Sequence, residues 1–236
     1  KKKIFKDDVS FFSCLEFIVY FPQLIAGPIL RAKELIPKLK KKIIFSENKI
    51  KFGIILFVVG FVKKVYFSDS IATIIDPIFE DPSLAPPEDL IKGFLLFPIQ
   101  IYFDFSGYVD MALGVSNIFS IELPVNFNRP YLTKSLTEFW RSWHITLSKW
   151  FKDYLYIPLG GSRGSKPLLF FNLMFTMSLA GLWHGANFNF ILWGFLNGLL
   201  LFFEKQYTPS KKINDILKIK INCFIIFNLW LIFRIQ

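Results

Sequence analysis

The chain has 236 residues, of which 53% are hydrophobic and 19% aromatic, and its formal net charge is +10. A soluble domain of this length would not need thirty Phe, and several apolar runs approach the roughly 20 residues that span a bilayer as a helix. The charge does not indicate nucleic-acid binding, because lysines between apolar runs are typical of cytoplasmic loops facing anionic headgroups. These lysines are Lys38, Lys40, Lys41, Lys42, Lys63, Lys64, Lys211, Lys212, Lys218 and Lys220.

The N-terminal part of the chain is apolar but repeatedly interrupted. Residues 11–30 contain two prolines and a glycine, which predicts a broken or re-entrant segment. Residues 31–51 are rich in lysine and predict an amphipathic stretch at the membrane interface. Residues 53–67 are apolar except for two lysines whose long stems allow them to reach an interface. Four prolines in residues 76–89 predict a loop.

The remaining sequence predicts further membrane spans at 90–121, 168–183, 188–203 and 221–236. No internal repeat and no boundary to a soluble domain is visible, so one all-α, polytopic membrane domain is predicted over residues 1–236. Because the chain begins without Met and stops inside an apolar run, we interpret it as an internal fragment of a longer membrane protein.

Two histidines, His144 and His184, are the first candidates for chemistry. Both lie among apolar or aromatic residues. Ionisable groups inside a bilayer are costly and therefore functional candidates. Imidazole is also well suited to moving a proton near neutral pH. No metal site is predicted, because no cysteine lies near either histidine in the sequence.

His144 follows a predicted helix start. The sequence from Ser135 to Glu138 fits a capping box, in which each side chain binds a backbone N–H of the first turn. On that helix Trp140, Arg141 and His144 would share one face. Two interpretations stay open: a functional imidazole, or an aromatic interfacial helix whose histidine only hydrogen-bonds a neighbour.

His184 follows a nearly uncharged run. Gly181 and Gly185 have the four-residue spacing that permits close approach of helix backbones. The imidazole is either a packing group bonded to a carbonyl or a functional group. The cost of burying it at lipid depth favours function.

Asp104 and Asp110 lie inside an apolar span and point about 120° apart on a helix, so they do not form a paired acid and base. Ser106 and Asp110 lie on a polar stripe that fits a water-filled cavity. Gly107 and Gly114 lie on a small-residue stripe that fits a neighbouring helix. We expect Asp104 to anchor helices, and for Asp110 an anchoring role and a binding role both stay open.

Six motifs in one order then resemble the membrane-bound O-acyltransferase (MBOAT) family, and most of all its bacterial alginate O-acetyltransferase-like branch. The likeness extends from about Phe11 to the last residue. The motifs are PQLIAGPI at 22–29, IYFDFSGY at 101–108, NFNRPY at 126–131, FWRSWH at 139–144, DYLYIPLGG at 153–161 and LWHGAN at 182–187.

The resemblance implies a ring of membrane helices around a central funnel, in a single domain truncated at both ends. It also implies a multi-pass protein of the bacterial cytoplasmic (inner) membrane. Its activity would transfer an acyl group, usually acetyl, from acetyl-CoA or another cytoplasmic thioester, with no tightly bound cofactor. The expected partners are membrane lipids, the acyl donor, and an exported polysaccharide or a periplasmic acyl-acceptor protein, and not nucleic acid.

In the family, His184 matches the near-universal histidine and His144 the second histidine of this branch. A neutral imidazole at His184 can act as general base toward the acceptor hydroxyl. Trp140 would help exclude water, Asp110 would line a polar cavity, and Arg141, Asn187 or the second histidine would donate to the developing oxyanion. Two rival classes remain: a membrane transporter, and a non-catalytic subunit of a glycan export complex.

Overall fold

The computed structural model describes residues 10–24, 27–207 and 213–235, and over these ranges the chain is helical without any β-strand. In chain order the α-helices are α1 (Phe11–Val19), α2 (Phe21–Leu24), α3 (Ala32–Leu39), α4 (Glu47–Phe61), α5 (Asp69–Glu80), α6 (Pro87–Ile118), α7 (Leu136–Trp140), α8 (Ile145–Phe151), α9 (Lys166–Leu182), α10 (Phe188–Gln206) and α11 (Asp215–Arg234). Two wider, π-helical segments continue α4 and α8, at Val62–Ser68 and Lys152–Tyr156, and a short 3₁₀ turn forms at Pro130–Leu132.

The all-helical fold class predicted from the sequence is confirmed. The N-terminal segment is broken as expected, into α1 and α2. The predicted loop at 76–89 is shorter than expected, because α5 continues through Pro77 to Glu80 and α6 already begins at Pro87. Some features of the sequence lie outside the described residues. They are Lys211, Lys212 and part of the motif at 22–29.

Within the described ranges, α11 is the one helix that is both long and apolar enough to cross a bilayer. It has 20 residues, whereas the apolar α9 is shorter, at 17 residues. A multi-pass arrangement and a helix ring around a funnel therefore stay predictions.

The chain divides into two compact units. The first comprises residues 1–69 and 102–126, and the second comprises residues 70–101 and 127–236. The single domain predicted over 1–236 stays a prediction.

In the first unit, a small core forms around Leu30, Leu35 and Ile121, against which Phe17 and Tyr20 pack. Leu35 is fully buried, and removing a leucine side chain from water stabilises the unit by about 1.5–3 kcal/mol. The amphipathic stretch predicted near residue 31 therefore buries one face of α3 inside this unit.

Glycines bring α4 and the C-terminal part of α6 into backbone contact in the first unit. A Cβ on Gly60 would lie 2.5 Å from the carbonyl oxygen of Gly107, and one on Gly53 would lie 2.6 Å from that of Gly114. Real side chains do not tolerate these distances, so the small-residue stripe predicted on α6 does pack against a neighbouring helix.

In the second unit, α9 and α10 form the most extensive helix pair. Gly181 on α9 lies against the backbone at Phe190, and Gly194 on α10 lies against the backbone at Met177. The close approach expected at Gly181 is thus confirmed. It brings the C-terminal end of α9 onto α10 and fixes the turn between them.

Candidate functional site

His184 lies in the short turn that joins α9 to α10. Its backbone N–H donates to the carbonyl of Gly181 at 3.0 Å, and the N–H of Gly185 donates to that of Leu182 at 3.2 Å. These bonds continue the last turn of α9 and hold the imidazole beside the helix pair. His184 itself is exposed, and no side-chain hydrogen bond to it is found within the described part of the chain.

Aromatic rings surround the His184 imidazole. The ring centroids of Trp183 and Phe233 lie 5.0 and 5.1 Å away, and those of Trp193 and Phe190 lie 5.6 and 6.2 Å away. All but Phe190 meet it edge to face, an arrangement that suits the charge distribution of aromatic rings. The imidazole is therefore held in position by ring packing rather than by a hydrogen-bonded partner.

His184 also lines a cavity of about 130 Å³ in the second unit. The walls are mostly apolar and come from α7 to α10 with the π-helical segment Lys152–Tyr156. The lining residues are Trp140, Leu147, Ser148, Phe151, Lys152, Tyr156, Leu173, Thr176, Met177, Ala180, His184, Trp193 and Leu201. Apolar walls of this kind reduce the amount of water beside a reacting group.

Hydrogen bonds to its side chain and to the start of its helix fix the position of Trp140 at this cavity. Its indole N–H donates to the side-chain oxygen of the buried Asn197 on α10 at 3.2 Å. The start of its helix is held by Glu204, whose carboxylate accepts from the N–H groups of Leu136 and Thr137. A carboxylate at a helix N-terminus satisfies donors that have no partner within the helix. The sequence-predicted wall residue Trp140 is thus at the same cavity as His184.

The helix start before Trp140 differs in detail from the predicted capping box. The Ser135 hydroxyl accepts from the N–H of Glu138 at 3.1 Å, as expected. The Glu138 carboxylate instead accepts from the N–H of Lys134 at 2.8 Å. The box is half formed, because Glu138 reaches one residue further back than the pattern requires.

His144 does not continue that helix, and the shared face predicted for Trp140, Arg141 and His144 is wrong. Helix α7 ends at Trp140, and His144 is the N-cap of α8 with φ 41° and ψ 55°. This left-handed conformation is uncommon for a residue other than glycine. It turns the chain between two short helices, which the helical spacing alone did not show.

The His144 side chain is buried, with 6% of its surface exposed. It lies beside Trp183, at 6.3 Å between ring centroids. Trp183 thus contacts both imidazoles. His144 is not among the residues that line the cavity at His184, so the two imidazoles do not open onto this cavity together, and the catalytic role of His144 stays a prediction.

The other two binding residues predicted near His184 and His144 have different neighbours. Asn187 is the N-cap of α10, where its side-chain oxygen accepts from the N–H of Asn189 at 2.9 Å. Arg141 is exposed and lines a separate surface pocket with Asn128 and Arg129. Neither lines the cavity at His184, and their predicted roles toward substrate stay predictions.

Asp110 belongs to the first unit, where it forms an ion pair with Lys63 at 2.5 Å. Asp104 pairs with Lys64 at 2.7 Å, and Lys64 also contacts Asp69 at 2.6 Å. The lysines that were expected to reach an interface instead neutralise the carboxylates of α6. This confirms the anchoring role expected for Asp104 and shows the same contact for Asp110, whose predicted binding role stays untested.

Comparison with known proteins places this sequence in a family. The model of the membrane-bound O-acyltransferase (MBOAT) family matches residues 1–236. The chain belongs to this family. It is therefore a membrane protein, and the resemblance seen in the six motifs is confirmed.

The curated relatives of this MBOAT chain carry names of acyl-transferring proteins. It is 42% identical to a "Probable alginate O-acetylase AlgI" of Pseudomonas aeruginosa, over 93% of this chain and 42% of the relative. It is 41% identical to a "Peptidoglycan O-acetyltransferase" of Helicobacter pylori, over 86% of this chain and 40% of the relative. It is 30% identical to a "Teichoic acid D-alanyltransferase" of Bacillus subtilis, over 92% of this chain and 60% of the relative. The chain thus spans about two fifths of the relatives it matches at higher identity.

Several cavity residues of this MBOAT chain were not predicted from the sequence. Ser148 lies on α8 and Thr176 on α9, and Lys152 and Tyr156 lie in the π-helical segment that continues α8. π-Helical turns are frequent at functional sites. A signal for Thr176 existed, since it precedes Ala180 and His184 by four and eight residues and so lies on one face of α9 with Ala180.

Proposed function

We propose that the protein containing this chain is an O-acyltransferase of the bacterial cytoplasmic membrane with His184 as its general base. It would transfer an acyl group, most simply acetyl, from a cytoplasmic thioester to a hydroxyl of an exported polysaccharide or of a periplasmic acceptor. The observation that carries the proposal is the imidazole of His184, which has no hydrogen-bonded partner within the described residues and faces a mostly apolar cavity.

The proposed chemistry follows from that position. A hydroxyl is a poor nucleophile until its proton is removed during attack. The His184 imidazole takes that proton as the hydroxyl oxygen bonds to the carbonyl carbon of the thioester. The carbon–sulfur bond then breaks, and the thiolate leaves and takes the proton back from the imidazolium. Atoms and charges balance without any further reactant.

The aromatic setting supports this role in two ways. Four rings fix the orientation of the imidazole, and a reacting group held in place avoids part of the entropy cost of reaction. The apolar walls keep water from the thioester, which would otherwise be lost to hydrolysis. The relatives named as O-acetylases and as a D-alanyltransferase support acyl transfer to cell-surface polymers.

The test is replacement of His184 by Ala in the full-length protein, followed by mass spectrometry of surface-glycan acylation. We expect a rate loss of about 10²–10⁴-fold, as for removal of a general base, with normal membrane abundance. Asn189→Ala, at the start of α10, is a matched control that should leave acylation unchanged. Wild-type acylation by a normally inserted His184→Ala protein would refute the proposal.

The membrane orientation is tested separately. The loop that carries Lys41 and Lys42 is exposed and strongly basic, so we propose that it faces the cytoplasm. A cysteine at position 41 in full-length protein should resist a membrane-impermeant thiol reagent in intact cells and react after lysis. Strong labelling in intact cells would reverse this orientation.

A further inference from the structure

A surface pocket in the first unit carries an excess of positive charge. It has a volume of about 390 Å³ and lies where the loop between α3 and α4 meets the turn after α6. Four lysines and one glutamate line it, which leaves a surplus of three positive charges. These charged residues are Lys38, Lys41, Lys42, Lys49 and Glu122. The pocket therefore favours an anionic ligand.

Three contacts between the two segments hold the pocket in shape. Ser120 adopts φ 59°, a left-handed conformation that is uncommon outside glycine, and its hydroxyl donates to the carbonyl of Ile44 at 2.6 Å. The ammonium of Lys38 donates to the carbonyl of Glu122 at 2.5 Å, and that of Lys49 pairs with the Glu122 carboxylate at 2.9 Å. These contacts join the loop and its flanking helices to the turn after α6. The walls of the pocket are therefore fixed before a ligand binds.

Two of the four lysines are left for a ligand. The residues Lys41 and Lys42 are exposed, and their ammonium groups make no hydrogen bond or ion pair within the described ranges. An ammonium group is a compact charge with three donors, which suits the oxygens of a phosphate group. Lys41 and Lys42 can therefore bind an anion without breaking the contacts that Lys38 and Lys49 make to the pocket walls.

The rim of the same pocket is apolar and exposed. Ile43, Ile44 and Phe119 line it, and the exposed fractions are 70% for Ile44 and 64% for its neighbour Phe45. A soluble anion such as inorganic phosphate leaves this rim in water. The acyl chains of a lipid cover it, and removing apolar surface from water stabilises a complex. Basic charge beside exposed apolar side chains therefore fits a phospholipid at the membrane surface.

We propose that this pocket binds the headgroup of an anionic phospholipid, with the lipid phosphate on Lys41 and Lys42 and the acyl chains against Ile44 and Phe45. The site goes beyond the acyl transfer proposed for His184 and does not depend on it. Basic pockets on the cytoplasmic side of membrane proteins bind anionic headgroups, which agrees with the orientation proposed for the same loop. A bound lipid fixes this part of the first unit at the membrane surface.

The test measures lipid binding to the full-length protein in detergent by native mass spectrometry. Dioleoyl phosphatidylglycerol is the probe, and dioleoyl phosphatidylcholine, which has the same chains but a cationic choline, is the reference. We expect wild type to bind phosphatidylglycerol more tightly. Lys41→Gln with Lys42→Gln should lower that affinity about 25-fold, because each lysine near an anionic lipid surface contributes about fivefold. The matched control, Lys33→Gln with Lys51→Gln, removes equal charge from α3 and α4 outside the pocket lining and should keep wild-type affinity.

The apolar rim has a readout of its own. Ile44→Ser keeps all four lysines and should weaken phosphatidylglycerol binding about tenfold, through the loss of apolar burial. Equal losses in the two double variants would show attraction by net charge alone and would overturn the pocket as a site. Equal affinity of wild type for the two lipids would overturn it as well. Wild-type affinity in Ile44→Ser, together with displacement of the lipid by inorganic phosphate, would assign the pocket to a soluble anion and refute the lipid.

Discussion

Two sites, one in each unit, differ in how the polar groups of their helices are partnered. In the first unit, Asp104 and Asp110 are each neutralised by a lysine of the π-helical segment Val62–Ser68. In the second unit, His184 is surrounded by aromatic rings and Thr176 has no hydrogen-bonded partner among the described residues. Paired charges hold helices together, whereas polar groups left without partners beside a cavity are available for a ligand. An ionisable residue in an apolar segment is therefore a functional candidate. If the structure shows a charged partner for it, an anchoring role is favoured instead.

The largest effect is expected where one member of a paired site is removed. Asp110→Ala leaves the ammonium of Lys63 partly buried without its partner, and this costs about 3 kcal/mol. We expect strongly reduced protein in the membrane, measured by quantitative immunoblotting of membrane fractions. The double variant Lys63→Met with Asp110→Leu should recover most of the abundance, because it removes both charges. A double variant as unstable as Asp110→Ala would show that the pair does more than neutralise charge.

His144 sharpens the comparison because it is buried yet predicted to be catalytic. His144→Asn should keep the left-handed backbone conformation, which Asn tolerates better than most residues. We therefore expect near-normal abundance with acylation reduced about 100-fold, at the low end of acid–base losses. The measurement is glycan acylation per inserted molecule. Unchanged acylation would assign His144 to the turn and leave His184 as the single histidine in the chemistry.

Asn197 tests whether a hydrogen bond in the cavity wall acts on structure or on rate. Asn197→Leu removes the acceptor for the Trp140 indole, and we expect a loss of about 1–1.5 kcal/mol of stability. The loss of stability is measured by heating the membranes, extracting them with detergent and determining the fraction of the variant protein that stays soluble. Because Trp140 also packs against Trp193 at 5.7 Å, activity at low temperature should persist. An inactive but stable Asn197→Leu protein would contradict this structural role.

The smallest effect is expected at an exposed charge pair of the second unit. Lys134 binds the carboxylate of Asp215 at 2.5 Å, and this hydrogen bond raises the pKa of the lysine above its ordinary value. Both side chains are solvent-exposed, and such pairs contribute little to stability. Lys134→Ala should leave abundance and acylation unchanged in the same assays. A clear loss of abundance or acylation would show that this ion pair stabilises the start of α11.

The sequence by itself determined the helical class, the family and the two histidines, because apolar runs, glycine spacing and short aromatic motifs are local patterns. It also indicated the close approach at Gly107 and Gly181, since small residues at helical spacing permit it. Whether Asp110 pairs with Lys63 depends on how α6 packs against the π-helical segment Val62–Ser68. The sequence does not show this contact, because the two residues are far apart in the chain.

Only the tertiary structure decided what surrounds each polar group. The left-handed turn at His144 breaks a helix that the spacing had predicted to continue, because a single backbone conformation is set by its surroundings and not by side-chain periodicity. The cavity at His184 is built by four consecutive α-helices, α7 to α10, and by the π-helical segment that continues α8, and their packing decides which side chains face it. Thr176 is another example, since only the packed structure shows that its hydroxyl is buried without a hydrogen-bonded partner among the described residues.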